Sequence, residues 1–214
     1  MKRAEMTLGE DMKYFIIINT IKIDTSNLIQ EQLFEFLKQL QKKYPKPITQ
    51  LFSTRYLINT NHLLYAIYFS LKAYHEQKII SNRPSIELLL YLSGNRQIKE
   101  AIQAFGISNQ ELAKGTLNYC IVAEETKLEK INREFLNYFN YSEKALKLNT
   151  TSKDKFTRIK NYFNLSDTQL ATKLNSLGTE KEHNLGNEED LQILTNALCD
   201  LVVEKMVLLS LEGT

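Results

Sequence analysis

The sequence predicts an α+β fold, with helices packed around a small mixed or antiparallel sheet in a single domain. Three observations carry this expectation. Residues 14–23 (YFIIINTIKI) form an isoleucine-rich run closed by the turn formers Asp24, Thr25 and Ser26, as a central strand does. Residues 117–123 alternate Leu117, Tyr119, Ile121 and Ala123 with Asn118, Cys120 and Val122, the two-residue period of a strand. Elsewhere apolar residues recur every three or four positions, without the regular strand–helix alternation of a parallel α/β sheet.

With 214 residues, 43% of them apolar and only three prolines, the chain can bury a substantial core without disulfides. Residues 1–12 are expected as a flexible tail and 13–214 as the domain. Within it, 176–190 is expected as a mobile linker, because LGTEKEHNLGNEED is polar and glycine-containing.

The elements follow in order. After the first strand a helix is expected over 26–43, burying Leu33, Phe36, Leu37 and Leu40. Tyr44-Pro45-Lys46-Pro47 stops it, since proline cannot continue a helix. Residues 48–57 read as a second strand. Asn59, Thr60 and Asn61 offer caps to a helix whose Leu63, Leu64, Ile67, Leu71 and Tyr74 share helical spacing. Residues 83–107 read as two short helices around a glycine hinge, one burying Ile86, Leu89, Leu90 and Leu92, the other Ile98, Ala101, Ile102 and Phe105. Gly94 suits the left-handed turn that ends the first, Asn95 suits the N-cap of the second, and Gly106 ends it. Arg96 and Gln97 then fall on its first turn. The third strand, 117–123, leads into a helix over 127–139, an edge strand over 144–148 and short helices over 153–162 and 167–174. A long stripe closes the chain: Leu191, Leu194, Leu198, Leu201, Val202, Met206 and Leu209.

The residue types that chemistry requires do not converge. Cys120 and Cys199 lie among apolar neighbours without CxxC or Cys/His spacing, so they read as buried thiols of a reducing, cytoplasmic compartment. His62, His75 and His183 share no metal-ligand spacing, and His62 reads as a cap or packing residue. Glu124-Glu125 reads as a helix start, where carboxylates suit the dipole. The glycines make neither a Walker nor a Rossmann loop. No enzyme activity, metal, cofactor or small-molecule substrate is therefore expected. The apolar stretch at 63–71 is too short to cross a bilayer, and Glu5, Glu10 and Asp11 argue against a signal peptide.

The net charge of +2 hides an uneven distribution. Between Lys38 and Lys99 ten Lys/Arg face two acids, Glu76 and Glu87, so this segment carries +8 and the remainder −6. Such a block suits a phosphate-bearing partner. The competing reading spreads these lysines around the fold, and pairs Arg96 with Glu100 and Arg83 with Glu87 as ordinary surface charges.

The hinge segment adds a resemblance. SIELLLYLSGNRQIKEAIQAFGI, with Glu87, Leu88–Leu90, Ser93-Gly94, Arg96-Gln97-Ile98, Glu100-Ala101 and Phe105-Gly106, is similar to the signature of the kinase-binding (TPRKB-like, CGI-type) subunit of the KEOPS complex, especially its archaeal form. LINTNHLLYAIYFSLKA, NYCIVAEE and LVVEKMVLLSLE extend the likeness in the family's order over about half the chain. The resemblance implies a non-catalytic accessory subunit, which binds the Bud-type KEOPS kinase/ATPase and helps recruit tRNA by its acceptor CCA end for threonylcarbamoyl-adenosine modification. An alternative is a protein-interaction module that regulates a small kinase without direct RNA binding. On this reading tRNA contacts come from Arg83 and Arg96, supported by Lys72, Lys78 and Lys99, because arginine both stacks on bases and forks onto phosphates. Kinase contacts are placed on Leu201, Val202, Met206, Leu208 and Leu209, since the final stripe has more apolar positions than one helix face needs. The competing reading packs all of that stripe into the core.

Overall fold

The structure, a computed structural model, describes residues 1–9, 12–25, 30–148, 152–178 and 185–211. In chain order its elements are β1 (Lys2–Leu8), β2 (Met12–Ile23), α1 (Gln30–Lys43), β3 (Ile48–Phe52), α2 (Thr60–His75), α3 (Pro84–Ser93), α4 (Ile98–Phe105), α5 (Asn109–Ala113), β4 (Thr116–Ala123), α6 (Glu125–Asn137), β5 (Tyr141–Lys144), α7 (Lys153–Tyr162), α8 (Asp167–Ser176) and α9 (Glu188–Leu211). The α+β class holds, and every strand pairing is antiparallel. The contacts divide into two compact units.

The first unit, Met1–Ser53, Ser81–Ile86 and Gly106–Leu146, holds the sheet. Its order is β1-β2-β4-β3, and β5 also pairs with β2. Since β2 is 12 residues long, β1 pairs with its first part, Met12–Ile18, and β5 with its last, Thr20–Ile23, while β4 takes the other edge. On one face Ile17, Ile21, Tyr119 and Ile121 pack with Leu33 and Leu40 of α1 and with Leu128, Ile131 and Phe135 of α6. Tyr119 is fully buried among them, and its hydroxyl donates to Asn132 Oδ1 at 2.9 Å, so the phenol brings no unpaired polar atom into the core.

Several boundaries differ from the sequence reading. The expected flexible tail contains β1, in which Ala4, Met6 and Leu8 turn inward while Arg3, Glu5 and Thr7 stay exposed. That alternation is weak, and what fixes it is the edge of β2; residues 10 and 11 lie outside the described residues. The second strand stops at Phe52, not 57, where its pairing with β4 ends opposite Asn118; further on, the Ile58 N–H donates to His62 Nδ1. β5 falls at Tyr141–Lys144, earlier than expected, opposite Thr20–Ile23. The sequence reading missed α5, although Ser108 and Glu111 form its capping box, a signature legible as S-x-x-E.

The second unit, Thr54–Ile80, Glu87–Phe105 and Lys147–Thr214, is helical. α9 is its spine, with α2, α7 and α8 packed against it. Asn59 caps α2 by accepting the His62 N–H at 3.0 Å, as its sequence suggests. α9 begins at Glu188, inside the expected linker; 179–184 and His183 lie outside the described residues, as do 26–29 at the start of the first expected helix.

Candidate interaction surface

The hinge between α3 and α4 is built by backbone chemistry. Gly94 adopts φ 57°, which lets its N–H donate to the Tyr91 carbonyl at 3.1 Å and the Asn95 N–H donate to the Leu90 carbonyl at 3.3 Å. Together these bonds are a Schellman closure, and they require a residue tolerant of the left-handed region. Asn95 does not cap α4 directly. Its Oδ1 accepts the Gln97 N–H at 3.0 Å, and Gln97 in turn accepts the Ala101 N–H, so the helix starts at Ile98. Arg96 and Gln97 therefore lie on the turn before α4 and not on its first helical turn.

Neither surface pair of the competing reading forms. Asn95 Nδ2, not Arg96, donates to the Glu100 carboxylate. Glu87 is fully buried, and both its oxygens accept the Ile80 N–H at 3.1 Å. Its charge is felt inside the unit. Burial, and then Glu87, push the Tyr74 phenol well above its ordinary range. Tyr91 is pushed up to about 12 by burial and Glu87, with Glu76 adding to this and Arg96 opposing it. The charge of Arg96, at the hinge, and that of Glu76, at the C-terminal end of α2, thus act on the Tyr91 hydroxyl with opposite sign. Lys72, half-buried there, meets Glu76 at 3.7 Å, while Arg96, Lys78 and Lys99 are exposed. Arg83 is exposed in the first unit, where its N–H donates to Ser81 Oγ.

The apolar stripe of α9 splits. Leu201, Val202, Met206 and Leu209 are buried, so these four face the interior of their unit. Of the five expected kinase contacts only Leu208 is exposed, at 58%, and Val207 and Leu211 lie outward with it. In α4 the division also departs from the sequence reading: Ala101, Ala104 and Phe105 face inward, whereas Ile98 and Ile102 are each 44% exposed. Ile98 and Ile102 are four apart and share a helix face, but Ala104 and Phe105, three and four from Ala101, occupy the interior.

His62 is a packing residue and both cysteines are buried, as their sequence neighbours suggest. His62 packs between Phe105 and Phe163 with both ring nitrogens bonded. Cys120 and Cys199 are buried thiols, each pushed up to about 12 by burial. Glu125 opens α6, as the acidic pair suggests, and Glu124 is held below its usual range by its bond to Lys127. Among the described residues, no group of three or more His, Cys, Asp and Glu is placed to hold a metal, and no helix is long and apolar enough to cross a membrane.

An antiparallel sheet backed by helices, joined to a helical unit with apolar side chains exposed on α4 and α9, defines an α+β protein with surfaces suited to docking. A family model described as kinase binding protein CGI-121 matches residues 23–210. The chain belongs to that family. No curated protein matches it by sequence comparison.

Proposed function

We propose that the chain is a non-catalytic cytoplasmic subunit of the KEOPS complex that binds its Bud-type kinase and helps hold tRNA by the acceptor CCA end. The kinase half is supported by family membership and, at the residue level, by the outward stripe Val207, Leu208 and Leu211 on a helix whose opposite face is fully occupied. The observation that carries the tRNA half is the exposed Arg96 at the hinge, with Lys99 exposed three residues on and Lys78 exposed after the end of α2.

Leu208→Asp tests the kinase contact. A carboxylate on an exposed position leaves the circular dichroism spectrum native, and in an apolar interface it weakens binding by on the order of 30-fold. Pull-down of the kinase at wild-type level by this variant would remove α9 from the interface.

Arg96→Glu tests the tRNA contact in electrophoretic shifts with intact tRNA and with tRNA lacking its CCA end. Wild type is expected to prefer intact tRNA, and Arg96→Glu to lose that preference. If about four phosphates are neutralised, log affinity falls against log salt with a slope on the order of −3. Equal binding in all four combinations rejects the acceptor-end assignment, and kinase capture without any tRNA shift selects a protein-interaction module instead.

A further inference from the structure

Strand β1 forms an edge of the sheet. It pairs with β2 in an unbroken register from Lys2↔Ile18 to Leu8↔Met12, and among the described residues no strand pairs with its other side. Its seven residues include no proline and its register has no bulge, so neither of these backbone devices closes the edge. The N–H and C=O groups on that side can be completed by another strand.

Charge decides which strand fits. Arg3 and Glu5 share one face of β1, where Arg3 meets Glu129 of α6 at 2.6 Å and Glu5 meets Lys13 of β2 at 3.3 Å. Both pairs are at least half exposed, so each is worth little and leaves its β1 member accessible to a second counter-charge.

A second copy of β1 laid antiparallel along the first obeys a parity rule. Cross-strand neighbours share a face of the sheet, so a two-fold axis normal to the sheet passes through a residue and not between two. Centred on Glu5, the pairing sets two carboxylates directly opposite each other, and centred on Arg3 it does the same to two guanidiniums, both unfavourable. Centred on Met6, it sets Glu5 opposite Thr7 and carries Arg3 past the strand end. Centred on Ala4, it sets Arg3 opposite Glu5 of the second copy, and Glu5 opposite Arg3 of the second copy, with the small Ala4 facing itself on the axis.

The geometry points to a symmetric dimer in which the β1 strands of two copies of this chain pair antiparallel across Ala4, joining their sheets into one. β1 precedes residues 23–210, which the family model matches, and this dimer does not depend on the kinase and tRNA contacts proposed for α9 and the hinge.

Sedimentation velocity of the full chain, at concentrations up to the order of 100 μM, is expected to show a reversible monomer–dimer equilibrium, since an interface of one strand pair is small. Arg3→Glu and Glu5→Arg are each expected to weaken it on the order of tenfold, because each variant sets two like-charged pairs beside the axis. An equimolar mixture of the two variants is expected to dimerise again, because the acidic strand of one then faces the basic strand of the other. Mixing does not repair a folding defect, so recovery reports the pairing itself. Ala4→Cys reads the register: on mild oxidation the new thiol cross-links to its copy across the axis, whereas Glu5→Cys lies beyond disulfide reach of its own copy, and Cys120 and Cys199 are buried. A monomer at every concentration overturns the dimer. Variants that dimerise like wild type, a mixture no better than its components, or a cross-link from Glu5→Cys in place of Ala4→Cys overturns the Ala4-centred pairing.

Discussion

Gly115→Ala is expected to destabilise the protein by on the order of 3 kcal/mol. Gly115 joins α5 to β4 at φ +64°, in the left-handed region, where a Cβ costs about 1–2 kcal/mol. Space removes the rest: a Cβ here would lie 2.6 Å from the Ile23 carbonyl oxygen and 3.1 Å from Thr25 Cγ2. The Ile23 backbone cannot yield cheaply, because its N–H donates to the Gly115 carbonyl at 2.8 Å and its strand is paired on both edges. Gly94→Ala is the matched comparison. Its φ of +57° is similar, yet the nearest atom to the added Cβ is Lys205 Cβ at 3.4 Å, an ordinary contact. Its cost should therefore stay near 1 kcal/mol. By thermal denaturation, Gly115→Ala is expected about 6–12 °C below wild type, with Gly94→Ala much closer to it. Equal shifts for the two variants would falsify the close-approach argument.

His62 should contribute a loss of folding stability as pH drops from 6.5 towards 4. The fully buried imidazole has a pKa lowered to about 4, chiefly by burial and further by the charge of Lys155, against a partly opposing bond to Leu92. Hydrogen-bond geometry explains why the cation is not accepted. Nε2–H donates to the Leu92 carbonyl at 3.0 Å and Nδ1 accepts the Ile58 N–H at 3.2 Å, so a second proton on Nδ1 would face another donor. The folded pKa lies below the unfolded value, so the unfolded chain binds more protons between pH 4 and 6.5. The contribution is whole above pH 6.5 and is lost as pH falls through that range, by about 3 kcal/mol in all. Denaturant titrations of wild type and His62→Met across the range check this. Met is less stable at neutral pH, since it leaves the Ile58 N–H without its acceptor, and the gap to wild type should narrow as pH falls. A constant gap, or an NMR titration of His62 near 6.5, contradicts the assignment.

Much of the local structure was legible in the chain itself. The isoleucine run became β2, the alternation at Leu117–Ala123 became β4, and Pro45 and Pro47 follow the end of α1. Lys153–Tyr162 is helical over the expected residues, Asn59 caps α2, and Gly94 takes the left-handed turn. The capping box that opens α5 is equally visible in the residues, as Ser108 and Glu111. Of the candidate surface, the exposure of Arg96 and Lys99 followed from their place at a hinge. The stack of Tyr56 on Tyr162 gave no signal, because the two lie 106 positions apart.

The sequence alone determined what depends on neighbours within a turn or two: element type, caps, helix stops and the hinge, since dihedral preference and short-range hydrogen bonding act over that distance. Only the tertiary structure decided which of several apolar or charged faces is covered. Leu209 is buried and Leu208 exposed on the same helix, Ile98 and Ile102 lie outside while Ala101 and Phe105 lie inside, and Glu87 is a buried acceptor for Ile80 instead of a surface partner of Arg83. Each outcome depends on burial by side chains brought in from other elements, and periodicity reports that a face exists without saying what packs on it.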